Sequence, residues 1–225
     1  MVTVIRSRAS TQAWIWKGFS EPLMGRVRLT ARQLRLFRAL MLCFASLPIV
    51  LLGWEIALGE LGPDPGKTLT RALGMAGLQT LFASLAMAPL QKLTGFAGWV
   101  QVRRMLGLFA FFYVSLHLLA YLQFISGWSN FLLEVTERPF ITVGFLAWLL
   151  MAPLALTSTK AMMRRLGRRW KTLHRLVYII ALLGFVHFLW QARSNLGEFV
   201  LYGLILTILL GARIYWAWNG ARERG

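Results

Sequence analysis

A single cysteine, Cys43, stands in 225 residues, so the chain carries no intrachain disulfide framework, no thiolate-held iron–sulfur cluster and no cysteine-rich zinc site. Acidic residues are scarce too: 8 Asp plus Glu face 25 Lys plus Arg, for a formal charge of +17. Histidine occurs only three times. Apolar residues, by contrast, make up 57% of the chain and the mean hydropathy is +0.59, more than a water-soluble domain carries. These proportions exclude a secreted mini-protein, a soluble hydrolase and a compact nucleic-acid-binding module. They describe a membrane protein, and the distribution of charge decides what the basic surplus is for.

Six runs are free of charge: 39–54, 72–91, 105–133, 139–159, 176–192 and 199–212. Most reach the roughly 20 residues that cross a hydrocarbon core of about 30 Å, and the two shortest extend if Glu55 and Arg213 reach the headgroups. The fold class is therefore all-α, with six transmembrane helices. The N-terminal stretch, the loops after the second and fourth runs and the C-terminus hold 21 basic residues with only Glu21 and Glu223. The other loops hold Lys67, Arg71, Arg138 and Arg193 against six acidic residues. The positive-inside rule then predicts cytoplasmic termini and assigns the basic clusters to topology and lipid headgroups with no nucleic-acid face. Residues 1–35 read as a cytoplasmic segment, 36–218 as the six-helix domain and 219–225 as a cytoplasmic tail. Within the first segment, residues 1–23 contain Trp14, Trp16 and Phe19 but no apolar run of signal-peptide length, and read as an interfacial segment or an upstream extension. No internal repeat is legible.

All three histidines lie in or at the edge of apolar runs: His117 in the third, His174 entering the fifth and His187 deep within it. Ionisable groups are costly in a bilayer and usually functional. His117 and His187 are candidate metal ligands, with a proton or ion pathway and a structural hydrogen bond as alternatives; His174, beside Lys171 and Arg175, is a ligand or a solvated surface residue. Zinc would need further donors, which the carboxylates at the membrane surface do not supply. Haem needs only two imidazoles from facing helices, and such a site passes electrons without an open position for a substrate. Depth predicts the pair. His117 lies 13 residues past Arg104, and His187 lies 13 past His174, each about 20 Å into an inside-to-outside helix. His174 is then about 20 Å below and cannot bind the same iron. Thirteen residues also leave His174 and His187 about 140° apart around an ideal helix, so a bend is expected if both face one cleft. Arg103 and Arg104, at the lower level of the third run, are either positive-inside anchors or partners for haem propionates or a flavin phosphate.

The stretches VRLTARQ (27–33), GPDPGKTLT (62–70), RRMLGLFAFFYVSLHLLAY (103–121) and the segment 136–190, with TSTKAM and GRRWKTLH followed after 13 residues by His187, closely resemble the MsrQ (YedZ) family over roughly residues 24–218. That family lies within the ferric reductase and NADPH oxidase transmembrane superfamily. The resemblance implies one or two b-type haems held through His117, His174 and His187, with Arg103 and Arg104 as cofactor-binding candidates, and a bound FMN to which no residue is assigned. It implies electron transfer to a periplasmic molybdopterin-containing MsrP-like subunit that repairs oxidised methionine, with a cytoplasmic flavin reductase or quinol as donor, and no substrate-reducing site in the chain itself. The chain lacks the fourth histidine and the soluble flavin and nicotinamide domain of the larger superfamily. A proton or ion transporter using the intramembrane histidines is the competing function.

Overall fold

The computed structural model of the chain describes residues 30–191 and 196–222, and these are helical throughout apart from turns and loops, with no strand. The segment 1–23, Arg193 and the end of the tail lie outside the described residues. Among the described residues six helical segments are long and apolar enough to cross a membrane: α1 (Ala31–Leu58), α2 (Pro65–Thr94), α3 (Gly98–Tyr121) with the π-helical turn that extends it to Ser126, α5 (Pro139–Leu156), the stretch Arg168–Gln191 that ends in α8 (Leu176–Gln191), and α9 (Leu196–Arg222). Three short helices join them: α4 (Phe131–Glu137), α6 (Lys160–Leu166) and α7 (Arg168–Leu173). Successive spans run in opposite senses, so the bundle has an acidic end, where α1 meets α2 and α3 meets α5, and a basic end, where α2 meets α3 and α5 meets α8.

Local sequence sets the helix ends. Thr30 and Gln33 form a reciprocal capping box that starts α1, and Gly59, at φ 71°, closes it in the left-handed conformation. Asp64 caps α2 by accepting from the Lys67 N–H, with Pro65 at the first helical position, where its missing donor costs nothing. Helical structure outruns the uncharged runs at α1, α3 and α9, because polar side chains at a helix end reach headgroups without ending the helix. The longest run, 105–133, exceeds one span, and the chain divides it: the π-helical turn Leu122–Ser126 ends at Gly127, at φ 76°, and α4 follows at the acidic end. The Tyr121 hydroxyl donates to Glu134 at 2.5 Å, pinning α4 to the end of α3.

α2 forms the middle of the bundle. Leu78, Leu81, Phe82 and Leu85 pack with Ala110 of α3, Met151 of α5, Ile180 and Ala181 of α8, and Leu206 and Leu209 of α9. α1 is peripheral: only Ala45 and Leu52 are buried, while Leu36, Leu40, Phe44, Leu51 and Trp54 face outward, as a lipid-facing surface does. The fully buried Tyr113 of α3 ties α1 to the core, donating its hydroxyl to the Ala45 carbonyl at 2.6 Å in the turn that Pro48 disturbs. Trp148 of α5 donates to Ser115 Oγ of α3 at 3.0 Å, joining the two helices beside which the histidines lie.

Candidate functional site

Helix α3 carries His117 and α8 carries His187, and the bundle brings them face to face. Their ring centroids are 6.1 Å apart and their planes lie at 80°. Each ring is fixed by the membrane-spanning helix that comes before its own. His117 Nδ1 is 2.8 Å from the Thr70 carbonyl of α2, and His187 Nδ1 is 2.7 Å from the Phe140 carbonyl of α5. A carbonyl oxygen only accepts, so both Nδ1 atoms carry the proton, and in the neutral ring Nε2 keeps its lone pair for a metal. Backbone carbonyls that orient a histidine in this way are the usual companions of metal-binding imidazole.

Two glycines that sequence reading passed over make the approach possible. A Cβ at Gly74 would stand 2.9 Å from His117 Nδ1, and one at Gly144 would stand 2.7 Å from His187 Nδ1. Each glycine lies four residues after the residue whose carbonyl its histidine meets. The spacing is the same on both sides: 47 residues separate carbonyl and histidine in each pair. That equality was the available signal, and it is too sparse to register as a sequence repeat.

Metal–imidazole bonds are about 2 Å and a ring nitrogen stands about 1 Å from its ring centre, so two rings sharing one iron have centroids about 6 Å apart. The His117–His187 separation fits. Among the described residues, no three His, Cys, Asp or Glu side chains converge to hold a metal. Two imidazoles alone suit an iron that already has four porphyrin nitrogens.

His174 stands apart, 13 residues before His187 at the basic end. The chain breaks between α7 and α8 at this residue. Its ring stacks on Trp170 with centroids 3.9 Å apart, and its Nδ1 lies 3.0 Å from the Trp170 carbonyl. Nε2 is buried without a hydrogen-bond partner. Arg103, half-buried on α3, is within electrostatic reach of His174, whereas its neighbour Arg104 is exposed. Trp170 is itself held by a 2.9 Å bond from its indole N–H to the Thr157 carbonyl. An apolar groove of about 480 Å³ opens between α1, α2 and α3 near the acidic end, with Leu52, Leu73, Leu116 and Trp128 in its wall. It is lined by neither His187 nor His174.

Residues 73–185 match the family model of the ferric reductase-like transmembrane component. The chain is also 47% identical, over 176 residues, to the protein-methionine-sulfoxide reductase heme-binding subunit MsrQ of Xanthomonas campestris pv. campestris strain 8004, covering 75% of this chain and 81% of that protein. It belongs to the MsrQ family. The MsrQ of Xanthomonas axonopodis pv. citri is 45% identical over 187 residues, 80% of this chain and 85% of the relative. That of Xanthomonas euvesicatoria pv. vesicatoria is 46% identical over 179 residues, 76% and 82% of the two chains. No solved structure matches the chain. The family-model match runs from α2 into α8 and contains His117, His174 and both glycines, and it ends two residues before His187.

Proposed function

We propose that the chain is a membrane electron conduit: a haem b-binding subunit that takes electrons from a cytoplasmic flavin reductase or quinol and delivers them to a periplasmic, molybdopterin-containing methionine-sulfoxide reductase. The observation that carries this reading is the His117–His187 pair, 6.1 Å between ring centroids, with each Nδ1 fixed by a backbone carbonyl. The names of its relatives, heme-binding subunits of such a reductase, support the same assignment. Haem, when bound, would supply one-electron chemistry. His117 and His187 would hold the iron, the Thr70 and Phe140 carbonyls orient the rings, and the apolar helices exclude water.

His174 would hold a second, inner haem, and Arg103 and Arg104 would bind its propionates or the phosphate of FMN. The basic segment from Lys160 to Arg175, which forms α6 and α7, faces the cytoplasm and meets the flavin or its reductase. The basic loops support cytoplasmic termini, and the relatives support a bacterial inner membrane, with the His117–His187 site then in the half of the bilayer nearer the periplasmic partner. A proton relay through the same histidines is disfavoured, because each Nδ1 proton is held by a carbonyl that has no proton to pass on.

The test is an absorption spectrum of the purified protein with haem stoichiometry. A reducible b-type spectrum that disappears in both His117→Ala and His187→Ala is expected. A colourless protein, or one whose spectrum survives both substitutions, ends the conduit reading.

A further inference from the structure

Arg213 lies in α9 inside a membrane span, 17 residues and so about 26 Å from the start of that helix, toward the basic end. Its Nε and Nη2 are buried and bonded to nothing. The guanidinium lies over the ring of Tyr178, 5.6 Å from its centroid. Tyr178 follows His174 by four residues, and the Nε2 of His174 is also buried without a hydrogen-bond partner. Arg103, from α3, is within electrostatic reach of both.

Arg213 from α9 thus meets α8 at the turn that follows His174, on the side of the bundle where Arg103 of α3 acts electrostatically on both. The six carboxylates among the described residues, Glu55, Glu60, Asp64, Glu134, Glu137 and Glu198, all lie at the acidic end. None neutralises Arg213. A buried cation without a counter-charge is strongly unfavourable, and one beside a second cation is more so. An arginine whose free edge presents Nε and a terminal nitrogen offers two parallel donors, the arrangement that takes a carboxylate or phosphate bidentately. Simple snorkelling to lipid would leave those donors at the headgroups rather than buried against Tyr178.

We infer that Arg213 is the counter-charge for an acidic group of the ligand that His174 receives, and that this group is a haem propionate. The assignment rests on the reading of His174 as an inner-haem ligand. An unpartnered imidazole nitrogen and an unpartnered guanidinium on one side of the bundle call for a ligand with both a metal and an oxyanion, and haem carries the two together. Arg213 binds and positions; it transfers no electron.

The experiment measures haem per protein by pyridine haemochrome, phosphorus per protein, flavin absorbance and redox midpoints in purified full-length protein. Wild type, Arg213→Met, Arg213→Gln, Arg213→Lys and His174→Ala are compared. Arg213→Met and Arg213→Gln are expected to halve the haem content, from two to one, leaving the haem that His187→Ala removes. Arg213→Lys, which keeps the charge, retains both. If Arg213→Met retains both haems, a lower midpoint for the one that His174→Ala removes still supports the assignment, because a nearby cation favours the reduced iron. Two haems with unmoved midpoints in Arg213→Met overturn the role of Arg213 while leaving the inner haem standing. Loss of phosphorus with haem unchanged makes the oxyanion a phosphate, of lipid where flavin absorbance is retained and of FMN where it is lost, and overturns the propionate. A wild-type content of one haem, unaffected by His174→Ala, removes the inner haem itself and this inference with it.

Discussion

Adding one methyl group at Gly144 tests the site at its tightest point. The new Cβ would stand 2.7 Å from His187 Nδ1, 2.8 Å from Cε1 and 3.1 Å from Cγ, where ordinary contact begins at 3.4 Å. The ring must retreat by about 0.7 Å. A retreat of that size along its bond to the Phe140 carbonyl, now 2.7 Å, would leave that bond too long to hold the ring. Overpacking a tight contact costs about 1–3 kcal/mol and a lost hydrogen bond about 0.5–1.5 kcal/mol, while Gly→Ala in a helix returns up to about 1 kcal/mol. The net penalty is about 1–3 kcal/mol. Because disturbing the groups that orient a metal-binding histidine weakens the site about 10–100-fold, Gly144→Ala should lose most of its haem in a competition or dilution assay. Gly74→Ala, whose Cβ meets His117 at 2.9 and 3.1 Å, should be affected in the same direction and less. Gly107→Ala, on the same helix as His117 but with nothing within 4 Å of its Cβ, should leave haem content unchanged and thermal stability equal or slightly higher. Full haem content and an unshifted spectrum in Gly144→Ala would refute the claim that glycine admits the histidine.

Alanine at His117 or at His187 should each abolish the same haem signal, whereas alanine at His174 should spare it; optical and paramagnetic resonance spectra of the three variants decide. Neutralising Arg168 and Arg169 together should slow reduction by a soluble flavin donor several-fold, read by stopped-flow absorbance, while membrane insertion stays at the wild-type level. A reporter fused after residue 225 should be active in the cytoplasm only, and activity confined to the periplasmic side would reverse the topology.

The architecture was legible where composition and rise per residue settle it. Charge-free runs mark the spans because a bilayer tolerates few charges, and counting 1.5 Å per residue from the basic end brings His117 and His187 to one height. Their facing rings follow that count. What was hidden depends on contacts between helices rather than on pattern within one. The 105–133 run gives no apolar signal of its break, since the π-helical turn and Gly127 change direction without changing hydropathy. The start of α3 at Gly98 lies before Arg103 and Arg104, because charge marks the membrane surface and not the end of a helix. The Thr70 and Phe140 carbonyls have no side-chain signature at all, and Gly74 and Gly144 resemble any small residue in an apolar helix. Arg213 appears in sequence as the flank of the shortest run; only its burial beside Tyr178 distinguishes it from a headgroup anchor.

The matched spacing of the two halves explains how one site is assembled from unlike hairpins. From Gly74 to the end of α2 is 20 residues, and from the start of α3 to His117 is 19. From Gly144 to the end of α5 is 12, and from the start of α8 to His187 is 11. Within each antiparallel pair the descending and ascending legs therefore agree to one residue, about 1.5 Å, which is why glycine and histidine meet at the same height. The first pair turns through a short connection after long helices. The second stops about two turns earlier and fills the remainder with α6 and α7, which carry the basic residues and end on His174. Equal total spacing with unequal legs gives the same histidine support on both sides of the site while making the basic end asymmetric. That asymmetry places the α6–α7 segment, Trp170 and His174 together in the space the shorter hairpin leaves, where Arg103 of the longer one comes within electrostatic reach.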